Sequence, residues 1–446
     1  MEVSCFGYNS SGLSHATCHS RTQILHTWHA GHQRRFRNKN NASKYASVSR
    51  GRGVSRSCAV VGTEQPGLLF STGEPAAWDE AGVGHPIVRY YLGDNEQRWF
   101  MWYTGKSTAC HDIDGIFPSS GSIGLAVSSD GLQWERGHGP ISGARGESRS
   151  KDVGKVLQPN EDWWTHDTCH VSVSDVQILS NSAVDSPGGV YWCFYAGGDF
   201  EQVQVPEGLR VTDVCPTERE GLRTRPGLAM SQDGRNFARI EGDHHTGALF
   251  DVGEPGEWDA LFIGAPQVVA AGPRDMRMYY HSYDEKKKRY VVGVATSPDG
   301  FRWEKRGPVF DGAPEGAPDD TFDSMGAASR CVVRDIDTKQ YFMFYEGVCR
   351  AKKRRSIGMA VSKDGISSWK RCDAPILEAS EDDECWDSGS VGTPWAVSMA
   401  KGRWRLYYSG SDKAHGSSWN GIGVALSDPE GQVFHGAPVT FTKRVA

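Results

Sequence analysis

One phrase recurs five times along the chain: IGLAVSSDG (123–131), PGLAMSQDG (226–234), VGVATSPDG (292–300), IGMAVSKDG (357–365) and IGVALSDPEG (422–431). An aromatic residue follows the first four at a near-fixed offset, at Trp134, Phe237, Trp303 and Trp369. A β-favouring run, an Asp-Gly turn and a second aromatic strand predict a tight hairpin. A second phrase precedes each of these: RWFMWYTG (98–105), VYWCFYAG (190–197), MRMYYHS (276–282), QYFMFYEG (340–347) and RWRLYYSG (403–410). These runs are too apolar for edge strands. A third element opens each unit. Asp79 precedes Pro86, Asp259 precedes Pro266 and Asp387 precedes Pro394, each by seven residues and each Asp following a Trp. The fourth unit offers Phe322-Asp323, and the second a looser alignment through Trp163, Trp164 and Asp167.

Each unit therefore carries four strands, A to D. Residues 64–446 supply about 77 residues per unit, in the range for a four-stranded blade with one long loop. No polar capping repeats end the series, so a closed ring is expected rather than a linear stack. The segment GLLFSTGEPAAWD (67–79) matches GALFDVGEPGEWD (247–259) at eight of thirteen positions. The ordered chain thus starts on a blade's outer strand, and the two ends are expected to share one blade. The fold class is all-β: a five-bladed β-propeller of four-stranded antiparallel blades behind a disordered N-terminal extension.

That extension, residues 1–63, differs from the body. It holds nine Lys/Arg against the single acid Glu2, and the remaining chain has 40 basic and 54 acidic residues. A Ser- and Arg-rich, acid-poor head has the composition of an organellar transit peptide, plastid before mitochondrion, with a retained basic arm as the plainer reading. An acidic body argues against a nucleic-acid partner, and no run of 18 apolar residues suggests a membrane span. The eight body cysteines are scattered without a CxxC pair, which is neither a zinc pattern nor a compact disulfide framework. No motif calls for a metal or cofactor, and oligomeric state is not legible.

The C–D turns are short and alike, whereas the B–C loops are mostly longer and unlike. Divergent loops on a uniform scaffold place a site on the B–C face, at the axis. Polar residues gather there: His85, Asp167 and His170 near A-strand starts, and Asp199, His281, Asp284, Glu346 and Asp412 at B-strand ends. Carboxylates, imidazoles and aromatics around a polar funnel suit a sugar. The Trp-Asp and Asp-Gly pairs recur too often to be one active site and read as structural. The runs KKKR (286–289) and KKRR (352–355) read as solvated loop charge, with an acidic or phosphorylated sugar as the weaker alternative.

With these blade phrases the body resembles the five-bladed β-propeller glycoside hydrolases, the superfamily of arabinanases, xylosidases, invertases and levansucrases. That resemblance implies an Asp, often Asp-Pro, at the start of blade 1, a second Asp at blade 2 and a general-acid Glu at blade 3. Here the first aligns with His85-Pro86, the second with Asp167, and the third with Gly264. The resemblance therefore implies a divergent glycosidase acting on a small sugar or oligosaccharide. Asp167 and Glu346 are its candidate paired carboxylates, and His85 assists. His170, Asp199, His281, Asp284 and Asp412 are candidate substrate-binding residues. His85 or His281 could titrate near neutrality. The alternative is a carbohydrate-binding or scaffolding propeller that has lost its acid.

Overall fold

The computed structural model describes residues 65–92, 97–107, 121–137, 154–179, 189–209, 217–335, 338–413, 418–427 and 440–444. The proposed transit segment, 1–63, lies outside the described residues. The described remainder forms five antiparallel sheets of four or five strands, the blades expected from the repeat, and a separate two-stranded sheet of Val203–Gln204 and Glu218–Arg219. Their innermost A strands are Gly82–Leu92, His170–Leu179, Gly264–Gly272, Ala327–Arg334 and Ser390–Ser398. The B strands are Gln97–Lys106, Val190–Gly198, Asp275–Asp284, Tyr341–Val348 and Trp404–Ser411. The C strands are Ser122–Ser128, Thr224–Ser231, Arg289–Ser297, Arg355–Ser362 and Gly421–Ser427.

The ring closes as the sequence anticipated. In blade 5 the outer strand is made of both chain ends. Leu68–Ser71 pairs with the first half of Gly421–Ser427, and Phe441–Lys443 pairs with its second half. Phe70 then packs edge-on against Tyr103 of blade 1, at 4.8 Å between ring centroids, so this strand holds blade 5 to its neighbour.

A belt of contacts between A strands runs round the axis. Arg89 Nη2 donates to Asp175 Oδ1 at 2.7 Å, and Asp175 Oδ2 accepts from Val268 N at 3.2 Å. Gln267 exchanges two bonds with the backbone of Val332, at 2.7 and 3.1 Å. Ala396 N donates to Cys331 Sγ, and Trp395 Nε1 donates to Val88 O at 2.8 Å. All five blade junctions are thus bridged.

Within each blade, an Asp at the end of the segment leading into the A strand accepts from a B-strand Tyr and a D-strand cation. Asp79 Oδ2 takes Tyr103 Oη and Arg136 Nε, both at 2.9 Å. The equivalents are Asp259 with Tyr280 and Lys305, Asp323 with Tyr345 and Arg371, and Asp387 with Tyr408 and Lys443. The ring before the Asp stacks on that Tyr, as Trp78 does on Tyr103. The recurring glycine of the IG phrase leaves room for it: a Cβ on Gly124 would lie 2.6 Å from Trp78. The other aromatic of the B-strand pair ties blades together, Tyr279 Oη donating to Gly365 O and Tyr407 Oη to Gly131 O, each at 2.8 Å.

The Asp-Gly turns are hairpin chemistry, as expected. Ser128 Oγ accepts from the amides of Asp130 and Gly131, while Asp130 Oδ1 accepts from Leu132 and Gln133. The same pattern repeats at Ser231/Asp233, Ser297/Asp299 and Ser362/Asp364. Cys193, Cys331 and Cys349 are buried thiols.

Candidate functional site at the propeller axis

Each A strand carries one register irregularity near its start, between Gly84 and Ile87, Val173 and Asp175, Gly264 and Gln267, Ala327 and Arg330, and Gly392 and Trp395. In blades 1, 3 and 5 the bulge is a Gly-x-Pro whose middle residue takes a positive φ: His85 at 52°, Ala265 at 46° and Thr393 at 43°. A side-chain-bearing residue held there costs on the order of 1–3 kcal/mol and re-aims its side chain. This explains the fixed Asp-to-Pro spacing. The Pro marks the bulge, and blades 2 and 4 bulge without it.

Around these bulges one polar set converges. His85 N donates to Ser409 Oγ at 3.0 Å, and Ser409 shares a short hydroxyl contact with Thr393. Thr393 N donates to Glu346 Oε2 at 2.9 Å, and Glu346 Oε1 accepts from Arg355 Nη1 at 2.9 Å. Arg355 also lies over the ring of Trp419. On the A strand of the same blade as Arg355, Arg330 Nη1 sits 3.3 Å from His281 Nδ1 of blade 3 and reaches Gly264 O. An arginine only donates, so His281 Nδ1 accepts and its ring proton sits on Nε2. Blades 1, 3, 4 and 5 each contribute, and all of these positions lie at A-strand starts, B-strand ends or C-strand starts, the face anticipated from the loops.

Electrostatics distinguishes the two imidazoles from free histidines. Burial, with the Arg355 and Arg330 charges beside it, brings His85 down to about 3. His281 is held well below its ordinary value by burial, by Arg330 and by His85. Both are neutral at pH 7. The expectation that either titrates near neutrality is therefore overturned: two guanidiniums in a buried site disfavour a third positive charge. Burial also pulls Arg330 down, to about 9, which leaves it charged at neutral pH.

Of the eight residues singled out from sequence, His85, His281 and Glu346 meet here. The others are engaged elsewhere. Asp167 is the blade 2 copy of the structural Asp: its Oδ2 accepts from Tyr195 Oη at 3.0 Å and Arg239 Nε at 2.6 Å. His166 stacks on Tyr195 where the other blades put Trp or Phe, while Trp163 is 88% exposed. The pair equivalent to Trp-Asp is thus His166-Asp167, and the Trp at 163 and 164 misled the alignment. His170 Nε2 is bonded to Gly221 O at 2.7 Å. Asp199 pairs with Arg225 at 3.0 Å. Asp284 accepts from the amides of Lys286 and Lys287 and so shapes the turn after its strand. Asp412 accepts from Asn420 Nδ2 at 3.0 Å.

Sequence reasoning missed Arg330 and Arg355 as site residues. Arg355 ends the KKRR run, whose charge read as solvated, but its side chain turns inward to Glu346. The only signal for Arg330 was an arginine in the middle of the A strand AASRCVVR (327–334).

Solved structures with the same architecture span nearly their whole length on this chain. One titled simply a glycoside hydrolase is 17% identical, with a TM-score of 0.52, covering 86% of this chain and 96% of the other. A thermostable family-43 glycoside hydrolase is 16% identical, with a TM-score of 0.52, covering 82% and 95%. The chain has the fold of the five-bladed β-propeller glycoside hydrolases. An N-acetylgalactosamine deacetylase from F. plautii, in complex with blood group B trisaccharide, is 16% identical with a TM-score of 0.51 and covers 81% and 94%. The same scaffold therefore also carries a different chemistry on a sugar. No protein-family model matches the sequence, and no curated protein does.

Proposed function

We propose that this propeller is a glycoside-processing enzyme, a glycosidase by reaction class, that takes a small sugar or oligosaccharide at the axial funnel. The observation that carries this reading is the meeting of His85, His281, Glu346, Arg330, Arg355 and Thr393, from four blades, on one face at the axis. Glu346 is the group for proton transfer. Its carboxylate is held in one orientation by Thr393 N and Arg355, as a positioned acid–base group requires. The neutral imidazoles His85 and His281 serve as hydrogen-bonding groups for sugar hydroxyls. This differs from the carboxylate pair of the resemblance, because Asp167 is spent on blade structure.

One observation favours the second reading, a sugar-binding propeller without hydrolysis. Glu346 is the one carboxylate in this contact network among the described residues, and both of its oxygens are engaged. A screen of the full chain on aryl α-L-arabinofuranosides, β-xylosides, galactosides and mannosides, with sucrose and short fructans, separates the two. Turnover that Glu346→Gln abolishes supports the enzyme. Saturable binding of a sugar with no turnover supports the binding propeller. The basic head supports import into a plastid as part of the same proposal, tested by cleavage on incubation with isolated chloroplasts against mitochondria.

A further inference from the structure

Arg330 is 4% exposed on the A strand of blade 4. Several buried or half-buried arginines in the structure have carboxylate partners, while Arg289 and Arg354 are spent on two or three backbone carbonyls and Arg334 lies at a strand end, bonded to one. Arg136, Arg239 and Arg371 sit 2.6–3.0 Å from the Asp of their triads, and Arg225 lies against Asp199 and Asp251. Arg355 has Glu346. Among the described residues Arg330 has no carboxylate at ion-pair distance, although the Glu346 charge acts on it from further off. Its terminal nitrogens reach Gly264 O at 3.4 and 3.5 Å and His281 Nδ1 at 3.3 Å, and its Nε is buried without a partner. A guanidinium has five donors to satisfy, and burying it unpaired costs several kcal/mol, about as much as breaking a buried ion pair.

The charge balance of the network points the same way. Among the described residues it holds two guanidiniums, one carboxylate and two imidazoles that stay neutral, a net positive charge at pH 7. A neutral sugar would leave that charge uncompensated. A carboxylate or phosphate would offset it and could take two parallel bonds from the guanidinium fork.

Resting on the funnel reading above, we propose that the funnel takes a sugar bearing an anionic group, a carboxylate or a phosphate, and that this group seats against Arg330. The anionic group meets a guanidinium that can only donate, and His281 can donate from Nε2 beside it. The shared chemistry is an oxyanion; whether it belongs to a uronic acid or to a phosphate is decided by the test.

The test is calorimetric titration of the full chain at pH 7 and low salt. The probes are D-galacturonate against D-galactose, D-glucuronate against D-glucose, glucose 6-phosphate and inorganic phosphate. At least one acidic sugar should bind tenfold or more tightly than its neutral parent, and Arg330→Met should remove that preference. Arg330→Lys, which keeps the charge without the fork, should keep part of it. If Arg330→Met fails to fold, the wild-type preference and the lysine variant still decide. Preference for uronates alone names the carboxylate, and preference for glucose 6-phosphate alone names the phosphate. Inorganic phosphate binding with no sugar bound would uphold the anion site and sink the sugar reading. Neutral and acidic sugars binding equally, with Arg330→Met indifferent, would overturn the proposal and leave the sugar reading standing. No binding of any acid up to roughly 10 mM, where affinity falls below about 3 kcal/mol, would also overturn it.

Discussion

Arg355 Nη1 donates to Glu346 Oε1 at 2.9 Å, from the C strand of blade 4 to its B strand, with both side chains almost wholly buried. Removing one member leaves the other charge buried and unpaired. Arg355→Met is expected to cost about 3–5 kcal/mol in urea unfolding, and the Arg355→Met/Glu346→Met double variant clearly less than the sum. A double variant that simply adds the two losses would mean the pair is not coupled.

Asp167 is expected to behave like Asp79 and Asp323. Asp167→Asn should lower stability by about 1–3 kcal/mol, as weakening a charged hydrogen-bond pair does, and by an amount close to that for Asp79→Asn. Turnover per folded molecule should stay within about twofold. A loss of turnover of two or more decades with an unchanged melting curve would return Asp167 to the active site.

The axial histidines contribute to the acid side of the stability profile. In the folded state His85 titrates at about 3 rather than near 6.5, owing first to burial and then to Arg355 and Arg330. The unfolded chain therefore binds the proton more tightly. Its contribution is fully present above pH 6.5 and is lost as pH falls towards 3. His281, lowered by burial, Arg330, His85 and Arg355, acts in the same direction. Urea midpoints taken between pH 7.5 and 4.5 should fall, and His85→Gln should fall less steeply. An equal slope in both proteins would contradict the assignment.

Ring closure rests on the N-terminal strand. Phe70→Ala removes a ring packed on Tyr103 and lying under the Arg136 guanidinium. A loss of about 3–5 kcal/mol is expected. A full-length variant that melts like wild type would show that blade 5 closes without it.

Gly392 leaves room for the acid. A Cβ there would lie 2.4 Å from Glu346 Oε2 and 2.8 Å from Trp419. Gly392→Ala should displace the carboxylate and cut kcat by tenfold or more, while overpacking costs about 1–3 kcal/mol of stability. Wild-type kcat in this variant would remove Glu346 from the chemistry.

The sequence by itself determined the blades, their number, the hairpin turns, the shared last blade and the face that carries the loops. Each of these is a periodic or short-range property, and five copies of a phrase make it legible despite divergence. It also pointed to Glu346, acidic where its counterparts are not, to His281 at the same variable position after the paired aromatics, and to His85 where the resemblance implies an Asp-Pro, and these three meet in the structure. Only the tertiary structure decided what Asp167 does, since His166-Asp167 replaces Trp-Asp and the equivalence is visible only through Tyr195 and Arg239. It alone brought Arg330 and Arg355 to the axis, where burial first and these charges second keep the histidines neutral. Those facts depend on contacts between single positions in different strands and blades. Burial and neighbouring charge act through space, so no spacing along the chain encodes them.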